Sequence, residues 1–408
     1  MLSELVDLND PDVFVQGVPF ETFRYWRTHD PVHWTEEPDG PGYWSLTAYD
    51  EVTTANRDAA TFSSELGGTM IATPEQAQLE QIRMIMLNMD PPKHTRYRLL
   101  VSHGFTPRMI RQLQDHIVEN ARDIVDRVIE RGSCDFVTDL AAELPLQVIA
   151  EMMGVPQEDR HKLFEWSNTM IGSADPEYAT SPDDAMQAQL ELFTYAQALA
   201  EDRRAHPRDD IISALTQAEL EGDRLSDLEL NLFFLLLAVA GNETTRNLTA
   251  HGMLALFDNP DERRRLQADM SLLPSAIEEM LRVGVPVMYF RRTATRDTVL
   301  GDREIAAGDK VALWYISANR DDTVFDDPDT FRIDRDPNPH VTFGGRGPHF
   351  CLGANLARVE LRAIFQEILT RMPDMELAGE PQRLRSNFIN GMKHIPVSFS
   401  PGRPLGRA

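Results

Sequence analysis

From Ser226 to Asn259 the sequence reads as a single helix, and this segment constrains the fold more than any other. Ser226 and Glu229 have the spacing of a capping box, in which each side chain accepts the other residue's backbone N–H. Pro260 closes the segment, because proline cannot continue a helix interior. At 1.5 Å per residue the helix would be about 50 Å long. Its stretch Leu232–Ala240 (LFFLLLAVA) is apolar throughout, and a helix apolar on all sides is buried on all sides. The run is too short to cross a bilayer. The chain must therefore wrap other elements around this helix.

Most of those elements also read as helices. Phe20–Arg27 is a short one. Pro107–Arg131 carries Ile110, Leu113, Ile117, Ile124, Val125 and Val128 on one side. Pro145–Met153, Pro156–Met170 and Asp183–Ala205 follow, each with proline near its start, where its missing N–H costs nothing. Val32–Thr35 and Tyr43–Thr47 read as strands around the Pro38-Asp39-Gly40 turn, and Lys310–Ile316 and His394–Phe399 as further strands. Residues 66–90 form a long connection rich in methionine (Met70, Met84, Met86, Met89). Such segments serve as lids or binding loops, or simply fill a core. The expected fold is mainly α, one large domain over residues 1–408 with a smaller β-rich region.

One stretch cannot be regular structure. Phe343–Gly353 (FGGRGPHFCLG) places four glycines and a proline around Cys351. Leu356, Val359, Ala363, Ile364 and Ile368 then recur at helical spacing. Cys351 thus lies just ahead of a helix N-terminus, whose dipole and free N–H groups favour a thiolate. Such a thiolate is either a nucleophile or a metal ligand; the bland alternative is a small buried hydrophobe in a turn. The only other cysteine is Cys134. A disulfide framework and a closed thiolate zinc site are excluded, so a metal on Cys351 would take most of its other ligands from a cofactor. Two distant cysteines also fit a reducing cytosol. The net charge of -25 argues against general nucleic-acid binding. The N-terminus has neither the basic nor the apolar region of a secretion signal, so a cytoplasmic protein with no integral membrane segment is expected.

Three polar constellations remain. Ala240-Gly241-Asn242-Glu243-Thr244-Thr245 interrupts the apolar helix with a glycine, a carboxylate and hydroxyls; a surface-facing polar turn is the alternative. Asp90-Pro91-Pro92-Lys93-His94 opens a helix on which His94 and Arg98 share a face suited to a carboxylate ligand, or to solvent. Glu279 and Arg282 are an i,i+3 pair, and spacing alone does not tie either to Arg335.

Together these motifs, in this order and with Arg292-Thr293-Ala294, resemble the cytochrome P-450 haem-thiolate monooxygenases over about Phe20–Phe399. The resemblance implies the P-450 fold, a haem b cofactor with Cys351 as axial thiolate on iron, and N–H groups near Leu352 and Gly353 tempering that thiolate. It implies haem-propionate partners at His94, Arg98, Arg292 and His349, and a buried structural triad of Glu279, Arg282 and Arg335. Glu243 and Thr244 match the acid–alcohol pair that delivers protons during oxygen activation. Two departures stand out: Gly344 holds the place of the family's loop phenylalanine, with Phe343 one residue earlier, and Glu243 stands where aspartate is commoner.

The segments Met86–Pro92, Val239–Asn247, Pro337–His340 and Asn390–His394 look most like actinobacterial hydroxylases of sterol side chains and methyl-branched lipids. A terminal (omega) hydroxylation with O2 is implied, with Val239, Val287, Met288 and Phe388 as pocket walls; a smaller terpenoid or other apolar molecule is the alternative substrate. The chain has neither a cysteine set for an iron–sulfur cluster nor a Gly-rich dinucleotide unit. Electrons are expected from a ferredoxin and its NAD(P)H-dependent reductase, docking near Arg108, Arg111, Arg346 and Arg362. Rival readings are a direct peroxide user, a cysteine acyl hydrolase with His349 as base, and a non-catalytic haem module.

Overall fold

The computed structural model describes residues 6–38, 40–102, 107–179, 181–220 and 223–406, with the side chains of 107–110, 112, 182, 220 and 223 outside that set. The central helix runs Asp227–Asp258 without a break. Its start is the expected capping box: Ser226 N–H donates to Glu229 Oε2 at 2.9 Å and Glu229 N–H to Ser226 Oγ at 3.3 Å. At its other end Asn259 caps, and Pro260 opens the next helix, Pro260–Ala268.

Helices pack around this axis on most sides. Glu143–Met153, Arg160–Ile171, Pro182–Ala205 and Leu273–Gly284 all lie against it. Two glycines permit the closest approaches. A Cβ at Gly241 would meet the Ile149 side chain at 2.9 Å, and one at Gly252 would meet the Phe365 ring at 2.9 Å. Behind these, Ala354–Arg371 packs on Pro107–Val128, and the buried Ile117, Ile124, Val125 and Val128 of the latter join the main apolar core.

A second core lies under a mixed sheet. Its strands run in the order Val32–Thr35, Tyr43–Leu46, Lys310–Trp314, Tyr289–Ala294 and Phe62–Ser63. Lys310–Trp314 is parallel to Tyr43–Leu46 and antiparallel to Tyr289–Ala294, and every residue of it is buried. Trp314 centres this core, with ring centroids 4.8 Å from Tyr289 and 5.1 Å from Phe23. Alternation along Tyr289–Ala294 sends Phe290 and Arg292 to one face and Tyr289 and Arg291 to the other.

Several boundaries differ from the sequence reading. The first long helix stops at Val128, not Arg131. The helix expected from Pro145 starts at Glu143, so the proline occupies its first turn, where no intrahelical donor is needed. The helix expected from Pro156 is a 3-10 turn (Gln157–Asp159) followed by an α-helix (Arg160–Ile171). Residues 66–90 contain a helix, Gln76–Ile82, and a 3-10 turn, Met86–Asn88. Met86 and Met89 are core residues there, whereas Met70 is 49% exposed. The strand from Lys310 ends at Trp314, where Tyr315–Ala318 turns into a short helix.

Candidate functional site

The cysteine loop folds back on itself. Gly344 and Gly345 adopt left-handed backbone conformations (φ 85° and 56°), which glycine reaches without a Cβ penalty. That double turn absorbs the additional residue and brings the two ends together: the Cys351 N–H donates to the Phe343 carbonyl at 2.9 Å. Phe343 therefore still packs beside the cysteine. Its ring lies 6.4 Å from that of Phe350, under the Arg358 guanidinium at 4.7 Å. Glu278 fixes Arg358 through two bonds of 2.6 and 2.8 Å.

Cys351 Sγ sits at the N-terminus of Ala354–Arg371, with Gly353 as N-cap. Burial pushes its thiol up, opposed by the Gly353 N–H, by Arg98 and Arg358, and by the Ala354 N–H. Gly353 is among the expected donors, and Leu352 lies in the turn before the cap. The residue is nonetheless exposed. A group that is both deep in the protein and accessible lines an internal cleft. Cys134 is different: it lies on strand Ser133–Asp135, and burial pushes its thiol up to about 12.

The four expected anion ligands converge beside this loop. The His94 and His349 rings are in contact, centroids 4.0 Å apart. Burial, then Arg98 and Arg292, depresses His94 to about 4; burial, Arg292, His94 and Arg98 depress His349 to about 2. Both imidazoles are therefore neutral donors at physiological pH. Arg98 Nη2 donates to the Phe350 carbonyl, one residue before Cys351. Arg292 is 3% exposed and donates to the Arg291 carbonyl at 2.8 Å and to Asn56 Oδ1 at 3.4 Å. Among the described residues neither guanidinium has a carboxylate in ion-pair contact.

The central helix divides its polar residues between two faces. Thr244 is half-buried and donates its hydroxyl proton to the Ala240 carbonyl at 2.7 Å. Ala240 is exposed in the middle of an otherwise enclosed helix, so this face opens on the cleft. Glu243, one residue and about 100° round the helix, lies on a buried face. It is 1% exposed. Arg246 pairs with its carboxylate, and the Ser167 hydroxyl donates to it at 3.2 Å. Arg246 is itself held by Asn168 Oδ1 at 2.7 Å and stacks over Phe164 at 5.4 Å. Burial raises the Glu243 pKa, against the pull of Arg246 and Ser167. The two side chains are hydrogen-bonded to different partners and not to each other.

A family model described as cytochrome P-450 matches residues 63–373. The chain belongs to the cytochrome P-450 family. It is 43% identical over 403 residues to the steroid C26-monooxygenase of Mycolicibacterium smegmatis, covering 97% of this chain and 93% of that protein. It is 46% identical over 365 residues to the methyl-branched lipid omega-hydroxylase of Mycobacterium tuberculosis, covering 88% and 85% of the two chains. A solved Mycobacterium marinum cytochrome P-450, CYP268A2 in complex with pseudoionone, superposes with a TM-score of 0.89 at 39% identity over 95% of this chain and 97% of that one. The protein is a cytochrome P-450 monooxygenase, an oxidoreductase that takes O2 and a hydrophobic substrate.

A cytochrome P-450 implies a haem-thiolate centre, and the residues present suit one. A thiol at a helix N-terminus suits an anionic sulfur ligand. Two arginines without carboxylate partners, beside two neutral imidazoles, suit a group bearing two carboxylates.

The triad is assembled as the family pattern implies. Glu279 accepts from Arg282 at 2.7 and 2.8 Å and from Arg335 at 3.0 and 3.1 Å, with Glu279 and Arg282 fully buried. Their remaining N–H groups bond the carbonyls of Asn319, Pro328 and Asp326. This explains the irregular Pro/Asp segment, whose carbonyls have no strand to pair with. Of the expected pocket walls, Val239, Val287 and Phe388 are partly exposed. Met288 is 0% exposed and belongs to the second core, in the segment just before the strand Tyr289–Ala294. Arg111, Arg346 and Arg362 are exposed; the side chain of Arg108 lies outside the described set. Sequence reasoning missed Arg246 as the partner of Glu243, although the i,i+3 spacing inside an apolar helix was a usable signal. It also missed Asn56, Ser167 and Asn168, for which no local signal exists.

Proposed function

We propose that this cytochrome P-450, a single domain over residues 1–408, hydroxylates a terminal methyl group of a sterol side chain or methyl-branched lipid. The names of two relatives sharing more than two-fifths of their residues with it support this substrate class. Cys351 ligates the iron of haem b as thiolate, and His94, Arg98, Arg292 and His349 hold its propionates. The single observation that carries the haem reading is the pair of guanidiniums, Arg98 and Arg292, beside the cysteine loop, without carboxylate partners among the described residues. When bound, the haem supplies the oxygen-activating iron, to which a thiolate ligand pushes electron density. Gly353 and Ala354 N–H groups steady that thiolate. Thr244 holds a proton at the cleft, and Glu243 resupplies it. Val239, Val287 and Phe388 give the cleft apolar walls, which orient a long hydrophobic substrate and exclude water.

Electrons come from a ferredoxin and its NAD(P)H-dependent reductase in the cytoplasm; among the described residues no helix is long and apolar enough to cross a membrane. The pseudoionone complex of the Mycobacterium marinum relative favours a second reading, a smaller terpenoid or apolar substrate. Titrating the ferric haem protein with sterols, branched lipids and terpenoids separates the two. A Soret shift at low concentrations of the first two classes is expected. A shift with small terpenoids alone would overturn the sterol and branched-lipid assignment.

A further inference from the structure

Asn56 touches more of the candidate site than any motif residue, yet no motif contains it. It lies near the end of the short helix Tyr49–Arg57 and is 4% exposed. Its side-chain N–H donates to the Gly344 carbonyl of the cysteine loop. Its side-chain oxygen accepts from the Tyr315 hydroxyl at 3.3 Å and from Arg292 Nη2 at 3.4 Å. One carboxamide thus joins the loop that carries Cys351 to the guanidinium of the anion cradle.

The loop is shaped around this side chain. A Cβ on Gly347 would run into the Asn56 backbone carbonyl and lie 2.9 Å from its side-chain nitrogen, and one on Gly345 would contact that nitrogen at 3.5 Å. Gly344 N–H closes a turn onto the Val341 carbonyl at 2.8 Å, while the adjacent Phe343 carbonyl takes the Cys351 N–H at 2.9 Å. Fixing the Gly344 carbonyl therefore fixes the peptide next to the one that positions Cys351. The double glycine turn that absorbs the additional loop residue would otherwise be free to move, since glycine imposes little conformational preference. A planar carboxamide offers a donor at one end and an acceptor at the other. Aspartate of the same shape offers only the acceptor.

We propose that Asn56 is a positioning residue that sets the spacing between Cys351 and Arg292, and so keeps the thiolate and propionate ends of a haem in register. This rests on the haem-thiolate reading given above. Groups that orient a metal ligand without touching the metal are typically worth about 10- to 100-fold in affinity.

The test compares Asn56→Ala, Asn56→Asp and Tyr315→Phe with the wild-type holoenzyme by two readouts: haem transfer to apomyoglobin and the spectrum of the reduced CO complex. Asn56→Ala and Asn56→Asp both lose the bond to Gly344. Each is expected to release haem about 10- to 100-fold faster and to convert part of its CO band to the form lacking thiolate ligation. Tyr315→Phe leaves that bond and is expected to match the wild type in both. If Asn56→Ala does not fold, the isosteric Asn56→Asp decides alone. Wild-type transfer rate and band in Asn56→Asp would overturn the inference, as would an equal loss in Tyr315→Phe, which would mark general loosening. A wild-type protein with no thiolate band would overturn the haem-thiolate reading itself, and is told apart because it appears before any variant is made.

Discussion

Replacing Arg246 by methionine tests the polar cluster behind the central helix most severely. Methionine fills much of the same volume but leaves the Glu243 carboxylate, 1% exposed, without its cation. It also strips Asn168 Oδ1 of a 2.7 Å hydrogen bond. Removing one partner of a buried ion pair typically costs about 3–5 kcal/mol. With an unfolding entropy near 2.1 cal/mol/K per residue over 408 residues, about 4 kcal/mol lowers Tm by roughly 5 °C. The variant can escape part of this cost by protonating Glu243, whose pKa burial already raises. A carboxyl with a raised folded-state pKa binds protons more tightly when folded, so its contribution is best in acid and is lost as pH rises above the ordinary carboxylate range. The Tm deficit of Arg246→Met should therefore be small near about pH 5 and full at about pH 8. Thermal unfolding at a fixed scan rate across that range measures it. A deficit that is the same at both ends, or that grows in acid, would refute the buried-pair argument.

Thr244→Ala should keep haem and substrate-induced spectral shifts but divert reducing power from product into hydrogen peroxide, measured as product formed per NAD(P)H consumed; unchanged coupling would count against its proton role. Positioned proton transfer is typically worth about 10² to 10⁴ in rate, so loss of Glu243 as acid in Glu243→Gln should fall in that range, read as single-turnover product formation. Glu279→Ala strands two buried guanidiniums and should cost about 3–5 kcal/mol or more, seen as a collapse in recovered haem-loaded protein; near-normal yield would contradict a structural role for the triad. His394 bridges Asp135 and Glu177, and although burial lowers its pKa, these two bonds raise it overall. Its stabilisation should be complete below the ordinary histidine range and fade as pH rises through the raised value, so the Tm gap between wild type and His394→Gln should close in alkali.

Where a local pattern carried the information, the sequence was readable. The capping box at Ser226 and the apolar Leu232–Ala240 run specify the central helix by themselves, and the glycine density around Cys351 announces a loop before a helix N-terminus. Non-local pairings were not readable. Nothing in the spacing links Arg335 to Glu279, because their contact depends on how the Pro/Asp segment returns to the helix Leu273–Gly284. Asn56 is one asparagine in a polar helix until the fold brings Gly344 and Arg292 to it. Proximity to the motifs makes Met288 a pocket-wall candidate, yet it is fully buried in the second core. Glu243 and Thr244 are neighbours in sequence but lie about 100° apart round the helix, and only the fold shows that Arg246 and Ser167 hold the carboxylate.

The most direct test of the account is the position of the oxygen atom it inserts. The haem-loaded protein would be incubated with a sterol bearing an intact side chain, ferredoxin, reductase and NAD(P)H under isotopically labelled O2, and the product examined by mass spectrometry and NMR. The account predicts one labelled oxygen on a terminal methyl carbon of the side chain. A label on the sterol nucleus, or an oxygen derived from water, would contradict it.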